Sequence, residues 1–589
     1  MGDDAALLTA WADVVIARLV GGGVRHLVVS PGSRSTAYVL AGHRHPQLVL
    51  HDVVDERSAA FFALGMARAT GEPAALLCTS GTAPAHYLPA VIEATRSRLP
   101  LVVLSADRPL ELVGCEAPQA IDQVKLFGDH VVHYADLGTP QPAAAALRGV
   151  ARAVSQAVAA TRWPVPGAVH LNARARKPFE PGEPSTEEGR ALVAAAQQLC
   201  AWHPRVHVPR VLPDEAALDE VAARLSDARS GLILAGPAPV DAHDRREPLV
   251  ALARATGFPV YAEATSQLRW GDRADDVAWV DALDLAAPSL DLTALGPPEV
   301  VVEVGQPLVA GSHGRAIEAL GAERIVLSDG PWADWLGSAR TFLLGDVRAS
   351  LDGLARRLEA SHSPHTSPPH PWFTAMSHAS DVARSSVEQR PGSDGAAVAS
   401  LARHVPAGTR WLLGNSLAVR LVDWFGDRSS ADPVLHQRGA NGIDGLIAGA
   451  AGAAVAAGGP TLLLLGDVAT WHDIGSLRLA RHSPHPLVVV VLHNGGGRIF
   501  DLLPVAHHPD VSDAERAHLC TPDDEGFDGV TALFGVRHRR VPPTEAGPAA
   551  AEALATPGCT LLEVRTRAHG TAELLRTIRA ALASDQPPS

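Results

Sequence analysis

Lysine is almost absent from this chain. Lys125 and Lys177 are the only two in 589 residues, so arginine carries nearly all of the positive charge. An isolated arginine is therefore weak ground for assigning a role. Positive charge is also outnumbered, and the formal net charge of -14 argues against general nucleic-acid binding. Cysteine is scarce: Cys78, Cys115, Cys200, Cys520 and Cys559 are scattered, odd in number and without metal-type spacing. That pattern speaks against a disulfide framework and fits a reducing cytosol. The amino terminus, Met1-Gly-Asp-Asp4, is acidic where a secretory signal needs positive charge, so a cytoplasmic protein is expected.

Apolar residues make up 47% of the chain and charged residues 19%, enough for sizeable cores, and the length suggests roughly three domains. Short Val/Leu runs alternate with Ala-rich stretches, the βαβ pattern. The fold expected is α/β, with three doubly wound parallel-sheet domains over 1–180, 190–360 and 374–589. Strands are expected at His26–Ser30, Ala74–Cys78, Leu101–Ser105 and Ala168–Leu171, then in Ser230–Gly236, Glu299–Gly305 and Arg324–Leu327. The last block offers Trp411–Leu413, Pro433–His436, Thr461–Leu465, Leu487–Leu492 and Thr560–Val564. Arg174–Gly189 and Ser361–Pro371 read as linkers. The uncharged run Gly445–Gly466 is long enough to span a membrane, but its six glycines and Pro460 divide it into a helix, a turn and a buried strand. No membrane insertion is expected.

The chemistry begins at two strand ends, Leu462-Leu-Leu-Leu-Gly-Asp467 and Leu487-Val-Val-Val-Val-Leu-His-Asn494-Gly-Gly-Gly497. In an open parallel sheet such ends face the ligand crevice. A carboxylate (Asp467), a side-chain amide oxygen (Asn494) and a carbonyl from the glycine run (Gly496) suit a hard octahedral cation that keeps phosphate oxygens as co-ligands. The competing reading is an Asp and an Asn that merely cap two βα turns. The glycines allow close backbone approach to a phosphate, and a following helix is expected to aim its N-terminus there. The dinucleotide pattern G-x-G-x-x-G is absent, as is a G-x-S-x-G elbow that would make Ser33 a hydrolase nucleophile. Glu56 opens an amphipathic-looking helix, followed by a strand that ends in Thr79-Ser-Gly-Thr82. By itself Glu56 reads as an acid at a helix N-terminus.

Taken together these residues resemble the thiamine diphosphate (ThDP) enzyme superfamily, which pairs a pyrimidine-binding domain bearing one glutamate with a diphosphate-binding domain bearing Gly-Asp and Asn. The most specific segments are Ser30-Pro-Gly-Ser-Arg-Ser-Thr36, Ser105-Ala-Asp-Arg-Pro109, Ala117-Pro-Gln-Ala-Ile121, Gly414-Asn-Ser-Leu-Ala-Val-Arg420, Arg438-Gly-Ala-Asn-Gly-Ile-Asp-Gly445 and Arg498-Ile-Phe-Asp-Leu-Leu-Pro504. They cover both outer blocks, with the middle block weakly matched and Rossmann-like. Two departures occur: Val468 follows Asp467 where the superfamily usually has Gly, and His493 stands where it usually has a first Asn.

The resemblance implies ThDP with Mg²⁺ or Mn²⁺, held by Asp467, Asn494 and Gly496. It assigns Ser80, Gly81, Gln437, Gly442, Ile443, Gly466 and Ile499 to the cofactor site. Glu56 is implied to hydrogen-bond N1′ of the aminopyrimidine, and Ile443 to wedge the bent cofactor. Ser33, Arg34, Arg108, Gln119, Asn415, Ser416, Arg420, Arg438, Phe500 and Leu503 match substrate positions, and Ile499, Phe500 and Leu503 are placed to keep the pocket dry. The substrates implied are 2-oxoglutarate and isochorismate, joined with loss of CO₂ in menaquinone biosynthesis. Both are dicarboxylates, which planar guanidiniums bind in bidentate fashion. A homodimer or homotetramer with active sites between subunits is expected. A substrate role for Arg315, in Ser312-His-Gly-Arg315, stays open, and His51, His86 and His472 have no evident partner. The alternatives are an acetolactate-synthase-like carboligase or decarboxylase, and a non-catalytic cofactor-binding protein. Retention of Glu56, Asp467 and Asn494 counts against the latter.

Overall fold

Long apolar runs become buried parallel strands, and the turns after them become the ligand-facing edge. A computed structural model describes residues 2–271, 273–289, 294–296, 298–309, 314, 317–318, 321–360, 371–427, 430 and 432–584. The first sheet contains β1 (His26–Val29), β2 (Val49–Asp52), β3 (Ala74–Cys78), β4 (Leu101–Asp107), β5 (His133–Asp136) and β6 (Ala168–Arg174), in the order β2-β1-β3-β4-β6-β5. The second contains β7 (Gly231–Ala235), β8 (Val260–Ala262), β9 (Trp279–Val280), β10 (Val300–Val304), β11 (Glu323–Ser328) and β12 (Thr341–Leu344), ordered β12-β11-β10-β7-β8-β9. The third contains β13 (Arg410–Leu413), β14 (Val434–His436), β15 (Thr461–Gly466), β16 (Pro486–His493), β17 (Arg537–Val541) and β18 (Gly558–Arg565), ordered β14-β13-β15-β16-β18-β17. Every pairing is parallel.

Counted within each sheet, the first and third share one strand order, although no sequence repeat links them. The middle sheet has the doubly wound order found in dinucleotide-binding folds. Three α/β sheets are therefore present, as the alternating pattern predicts. Additional short strands, β2, β5, β8, β9, β12 and β17, extend each sheet beyond the apolar runs.

The chain forms two compact units. One holds the residues up to Val208 with Gln437–Gly458 and His472–His485; the other holds Pro209–His436, Gly459–Trp471 and the chain from Pro486. In the first unit, helices Gly2–Gly21, Ala144–Ala160 and Glu187–Cys200 cover one face of the first sheet, with Leu19, Leu27, Leu77, Leu104 and Val154 fully buried between them. The expected linker at 174–189 is shorter than its composition suggests. Arg174 closes β6 as a buried cation paired with Asp107 at 3.0 Å and Asp136 at 2.8 Å, and Glu187 already begins a helix.

Helix Glu56–Thr70 is not amphipathic: Ser58 through Arg68 are all buried. Asp55 caps it by accepting from Arg57 N and Ser58 N, and Gly71 ends it in the left-handed region at φ 71°. The helix is hidden because Leu446–Ala457, the helical half of the uncharged run, lies directly on it. A Cβ on Gly65 would fall 1.9 Å from Gly449 O, and one on Gly452 1.9 Å from Phe62 O. Only glycine allows this approach. The run's other half is the buried strand β15, and no helix among the described residues is long and apolar enough to cross a membrane.

In the second unit, one face of the middle sheet packs on helices Glu215–Asp227, Arg246–Thr256 and Val347–Ala360. Its other face shares a core with helices Pro371–Glu388 and Gly570–Ser584. The third sheet has its own core around Trp411, Leu462, Leu464 and Val490. Residues 361–370 of the second expected linker, and Arg315 with Ser312 and His313, lie outside the described residues.

Candidate active site

In the second unit, the third sheet puts the two anchor residues on adjacent strands. β15 and β16 pair with Gly466 opposite Leu492, so Asp467 and Asn494 emerge side by side at the carboxyl edge. Asp467 is 2% exposed; its Oδ2 accepts from Gly495 N and Gly496 N at 2.8 Å each, and its Oδ1 from Val468 N at 2.8 Å. Burial pushes its carboxyl up, opposed by those backbone N–H groups. Gly496 sits at φ 118°, where a Cβ would meet Cys520 O at 2.4 Å. The side chain of Asn494 is also fixed: its Nδ2 donates to Asp394 Oδ2 at 3.3 Å. Asp394 is 1% exposed and accepts from Thr566 and Thr571 hydroxyls at 2.5 Å each. With the amide nitrogen committed there, the amide oxygen is the end left for a cation.

One expectation about this edge fails. No α-helix follows the glycine run; Arg498–Leu502 is a short 3-10 turn. The N–H groups of Gly495 and Gly496 are drawn to Asp467, and Gly497 N donates to Cys520 O at 2.6 Å, so the backbone curls rather than winding into a helix. Ile499 and Phe500 on that turn are half-buried, whereas Leu503 is 42% exposed.

Asn415, Ser416 and Arg420 follow β13, which lies beside β15. Ser416 holds φ 65° and ψ -126°, a conformation costing about 1–3 kcal/mol that tends to mark functional sites. Its carbonyl accepts from Arg420 Nη1 at 2.6 Å, fixing the guanidinium one turn along the helix. Asn415 is 5% exposed.

His493 is paired with a buried acid. Its Nδ1 lies 2.9 Å from Glu563 Oε1, and both are buried. Glu563 also takes Arg565 at 2.8 Å, Arg540 at 3.2 Å and His538 at 3.0 Å. Asp528, His538 and Glu563 have metal-like spacing. The two arginines already neutralise these carboxylates, so the cluster is an ion-pair network bracing β16 to β17 and β18.

The first unit gathers the other charged set. Ser33 and Arg34 follow β1, Ser80 and Gly81 follow β3, and Arg108 follows β4. β1 and β3 flank the point where the strand order reverses, where open α/β sheets bind ligands. Ser33, Arg34, Arg108 and Gln119 line one open cavity of about 550 Å³. Arg34 is 6% exposed, donates to Ala175 O and stacks 4.9 Å over Phe179. Burial, and then the nearby Arg108 guanidinium, pull its pKa down to about 10 against the opposing pull of Asp107. Arg108 donates to Pro118 O. Ser80 and Gln119 clasp reciprocally, Ser80 Oγ donating to Gln119 O and Gln119 Nε2 to Ser80 O, both at 3.1 Å. Gly81, at φ 89°, packs under Gln119.

The cavity also contains Arg176 and Lys177, which sequence reading had placed in a linker. Their signal was two cations adjoining a strand end, masked by the proline-rich stretch that follows. Lys177 is one of only two lysines. Glu56 is half-buried at the start of its helix, close enough to Cys78 at the end of β3 to help raise that thiol's pKa, after burial. Ala59, Ala60, Phe61 and Phe62 behind it are buried. Gln437, Arg438, Gly442 and Ile443 lie in the loop after β14, with Ile443 half-buried and Gln437 Nε2 bonded to Asp444 O at 2.7 Å. His51 does have partners: His26 Nδ1 at 3.1 Å and the edge of Phe62. Burial, then His26, lowers its pKa to about 4. His86 and His472 are exposed.

Comparison with known proteins gives this geometry a family. Residues 9–126 match the thiamine pyrophosphate enzyme, N-terminal TPP binding domain. A Sorangium cellulosum protein named 2-succinyl-5-enolpyruvyl-6-hydroxy-3-cyclohexene-1-carboxylate synthase is 41% identical, over 97% of this chain and 95% of its own. The chain belongs to this synthase family. A Myxococcus xanthus synthase of the same name is 37% identical over 99% of each chain, and one from Haloarcula marismortui is 35% identical over 95% of each. A solved Mycobacterium smegmatis protein described as a thiamin diphosphate-dependent enzyme shares the fold, with TM-score 0.70 and 20% identity over 95% of this chain and 99% of its own.

The residues of this synthase-family chain fit the cofactor. Asp467 is a buried carboxylate whose hydrogen bonds come from backbone N–H groups, a setting that a cation relieves. All three expected ligand groups offer oxygen, which suits Mg²⁺.

Proposed function

We propose that the protein is a ThDP- and Mg²⁺-dependent decarboxylating transferase. It takes the four-carbon unit left when 2-oxoglutarate loses CO₂ and adds it to isochorismate, a step of menaquinone biosynthesis. The observation that carries this reading is the cavity where Arg34 and Arg108 stand close enough for one guanidinium to depress the other's pKa. Like charges held together in a partly dehydrated pocket are relieved by an anion, and both substrates are dianions.

Bound ThDP supplies a nucleophilic thiazolium carbon and an electron sink for the departing carboxylate. The chain's own residues do the rest. Asp467, the Asn494 amide oxygen and the Gly496 carbonyl hold the Mg²⁺ or Mn²⁺ ion. Ser80, Gly81, Gln437, Gly442, Gly466 and Ile499 would line the cofactor's site, with Ile443 as its apolar support. Glu56 hydrogen-bonds N1′ of the aminopyrimidine; its half-buried position keeps that bond from competing fully with water. Arg34, Arg108, Arg420 and Arg438 take substrate carboxylates, with Ser33, Gln119, Asn415 and Ser416 as polar partners. Phe500 and Leu503 shield the reacting carbon, and the present exposure of Leu503 leaves room for it to be covered when substrate or a second subunit arrives.

The proposal includes a homodimer or homotetramer in the cytoplasm, in which the Glu56-bearing unit of one copy meets the Asp467-bearing unit of another. The test is CO₂ release from purified protein with ThDP and Mg²⁺, comparing 2-oxoglutarate with pyruvate. The reading predicts release from 2-oxoglutarate. Release from pyruvate alone would point to an acetolactate-synthase-like enzyme.

A further inference from the structure

The loop 437–445 carries Arg438, Gly442 and Ile443 between β14 and helix Leu446–Ala457, with Asn441 at φ 61° and Gly445 at φ 66°. A loop of this kind, with no ladder hydrogen bonds, holds one shape only if something else fixes it. Two buried carboxylates from distant parts of the same unit do so, one at each end. Glu93, on helix Leu88–Arg96, is 2% exposed. Its Oε1 accepts from Gly439 N at 3.0 Å and its Oε2 from Ala440 N at 2.6 Å. Successive N–H groups aimed at one carboxylate form an anion nest. Arg68 at 2.9 Å balances the charge, and Ser97 Oγ donates to Oε1 at 2.6 Å. The loop lies so close here that a Cβ on Gly439 would meet Ser97 Oγ at 2.6 Å.

At the other end Asp473, fully buried, accepts from Ile447 N at 2.8 Å and Ala448 N at 3.1 Å. It thus caps the helix from 26 positions away, and Ser476 Oγ holds its other oxygen at 2.7 Å. Gly445 cannot cap that helix with a side chain, so the cap comes from Asp473.

We propose that Glu93, with Arg68 as its counter-ion, and Asp473 are positioning residues. Together they clamp both ends of the 437–445 loop, so that Ile443 and Arg438 are set before the cofactor arrives. The inference rests on the ThDP reading for its purpose, though the clamp itself is a statement about the apoprotein. A fixed loop loses less freedom on binding, so the clamp is read in cofactor affinity.

The test uses the full chain. In Arg68→Met/Glu93→Met no buried charge is left alone, and buried ion pairs are often replaced by apolar residues without loss of stability. Asp473→Asn tests the second end. Amide exchange of the apoprotein is followed by mass spectrometry, and ThDP binding with Mg²⁺ by calorimetry. The clamp predicts exchange about tenfold faster in 437–448, with strands β3 and β4 unchanged. It also predicts ThDP affinity weakened about tenfold. Arg68→Met/Glu93→Gln, which keeps one acceptor and likewise leaves no buried charge alone, should fall between the double-methionine variant and wild type. Unchanged loop exchange overturns the proposal, as does exchange that rises equally throughout the unit, since the pair would then serve general stability. If wild type itself fails to bind ThDP, the functional reading falls, while loop exchange still decides the clamp.

Discussion

Replacing Arg34 with methionine separates function from stability. Its guanidinium is nearly buried beside Arg108, with a pKa pulled down to about 10. At about 1.4 kcal/mol per pH unit, holding that charge costs the folded protein roughly 3 kcal/mol. Because the folded pKa is lowered, the cost is present in full at neutral pH and disappears only as pH rises beyond about 10. Methionine removes it. The change also removes the stacking on Phe179, about 2 kcal/mol for a desolvated pair, and the bond to Ala175 O, about 1–2 kcal/mol. Gain and loss nearly cancel, so the apoprotein should stay within about 1 kcal/mol of wild type, a thermal midpoint shift of no more than about 2–4 °C. Substrate binding should suffer instead, because a charge-assisted bond worth about 1.5–3 kcal/mol raises KM by about 10- to 100-fold. The assays are thermal unfolding of the apoprotein at pH 7 and steady-state kinetics with saturating ThDP. A midpoint lowered by several degrees with KM unchanged would show that Arg34 is an ordinary structural arginine, and the reasoning about the cavity would fail.

Other consequences are equally direct. Glu56→Gln should lower kcat by about 10²- to 10⁴-fold while calorimetric ThDP affinity stays near wild type; an active variant would remove Glu56 from the mechanism. Asp467→Ala leaves the N–H groups of Val468, Gly495 and Gly496 without their acceptor. At about 1–3 kcal/mol for each buried group, it should destabilise the apoprotein and abolish metal-dependent ThDP retention on desalting; retention equal to wild type would mean the anchor is misread. Glu563 gives a pH signature. Burial pushes its carboxyl up, but hydrogen bonds from His493, Arg565 and Arg540 hold it well below the usual carboxylate range. Its stabilisation is present above a carboxylate's ordinary pKa and lost as pH falls below it. The midpoint gap between wild type and Glu563→Gln should thus narrow from about pH 6 to about pH 3, and a constant gap would refute the network's charge balance.

Residues that a strand delivers directly to the sheet's carboxyl edge were legible in the sequence. Asp467 and Asn494 each follow an unbroken apolar run, and adjacent parallel strands had to bring them side by side. The strands missed are short, and one is a polar edge, β17, where Arg537-His-Arg-Arg540 precedes a single apolar residue, Val541. Edge strands are kept polar to discourage aggregation, which removes the signal. The burial of helix Glu56–Thr70 was invisible because its cover, Leu446–Ala457, is nearly four hundred positions away. Glu93, Asp394 and Asp473 were missed for a related reason. A carboxylate that grips remote backbone N–H groups, or for Asp394 remote hydroxyls and a side-chain amide, has no local pattern, because its partners are set by the fold and not by spacing. The glycine run misled in the opposite direction: its N–H groups suggested a phosphate-facing helix, but Asp467 and Cys520 claimed them first.

The most direct test of the central claim is to follow isochorismate absorbance and CO₂ release together, with 2-oxoglutarate, ThDP and Mg²⁺ present. The account predicts loss of isochorismate in equal amount to the CO₂ released, and no loss of either substrate when ThDP is withheld. CO₂ released from 2-oxoglutarate with isochorismate left intact would contradict it.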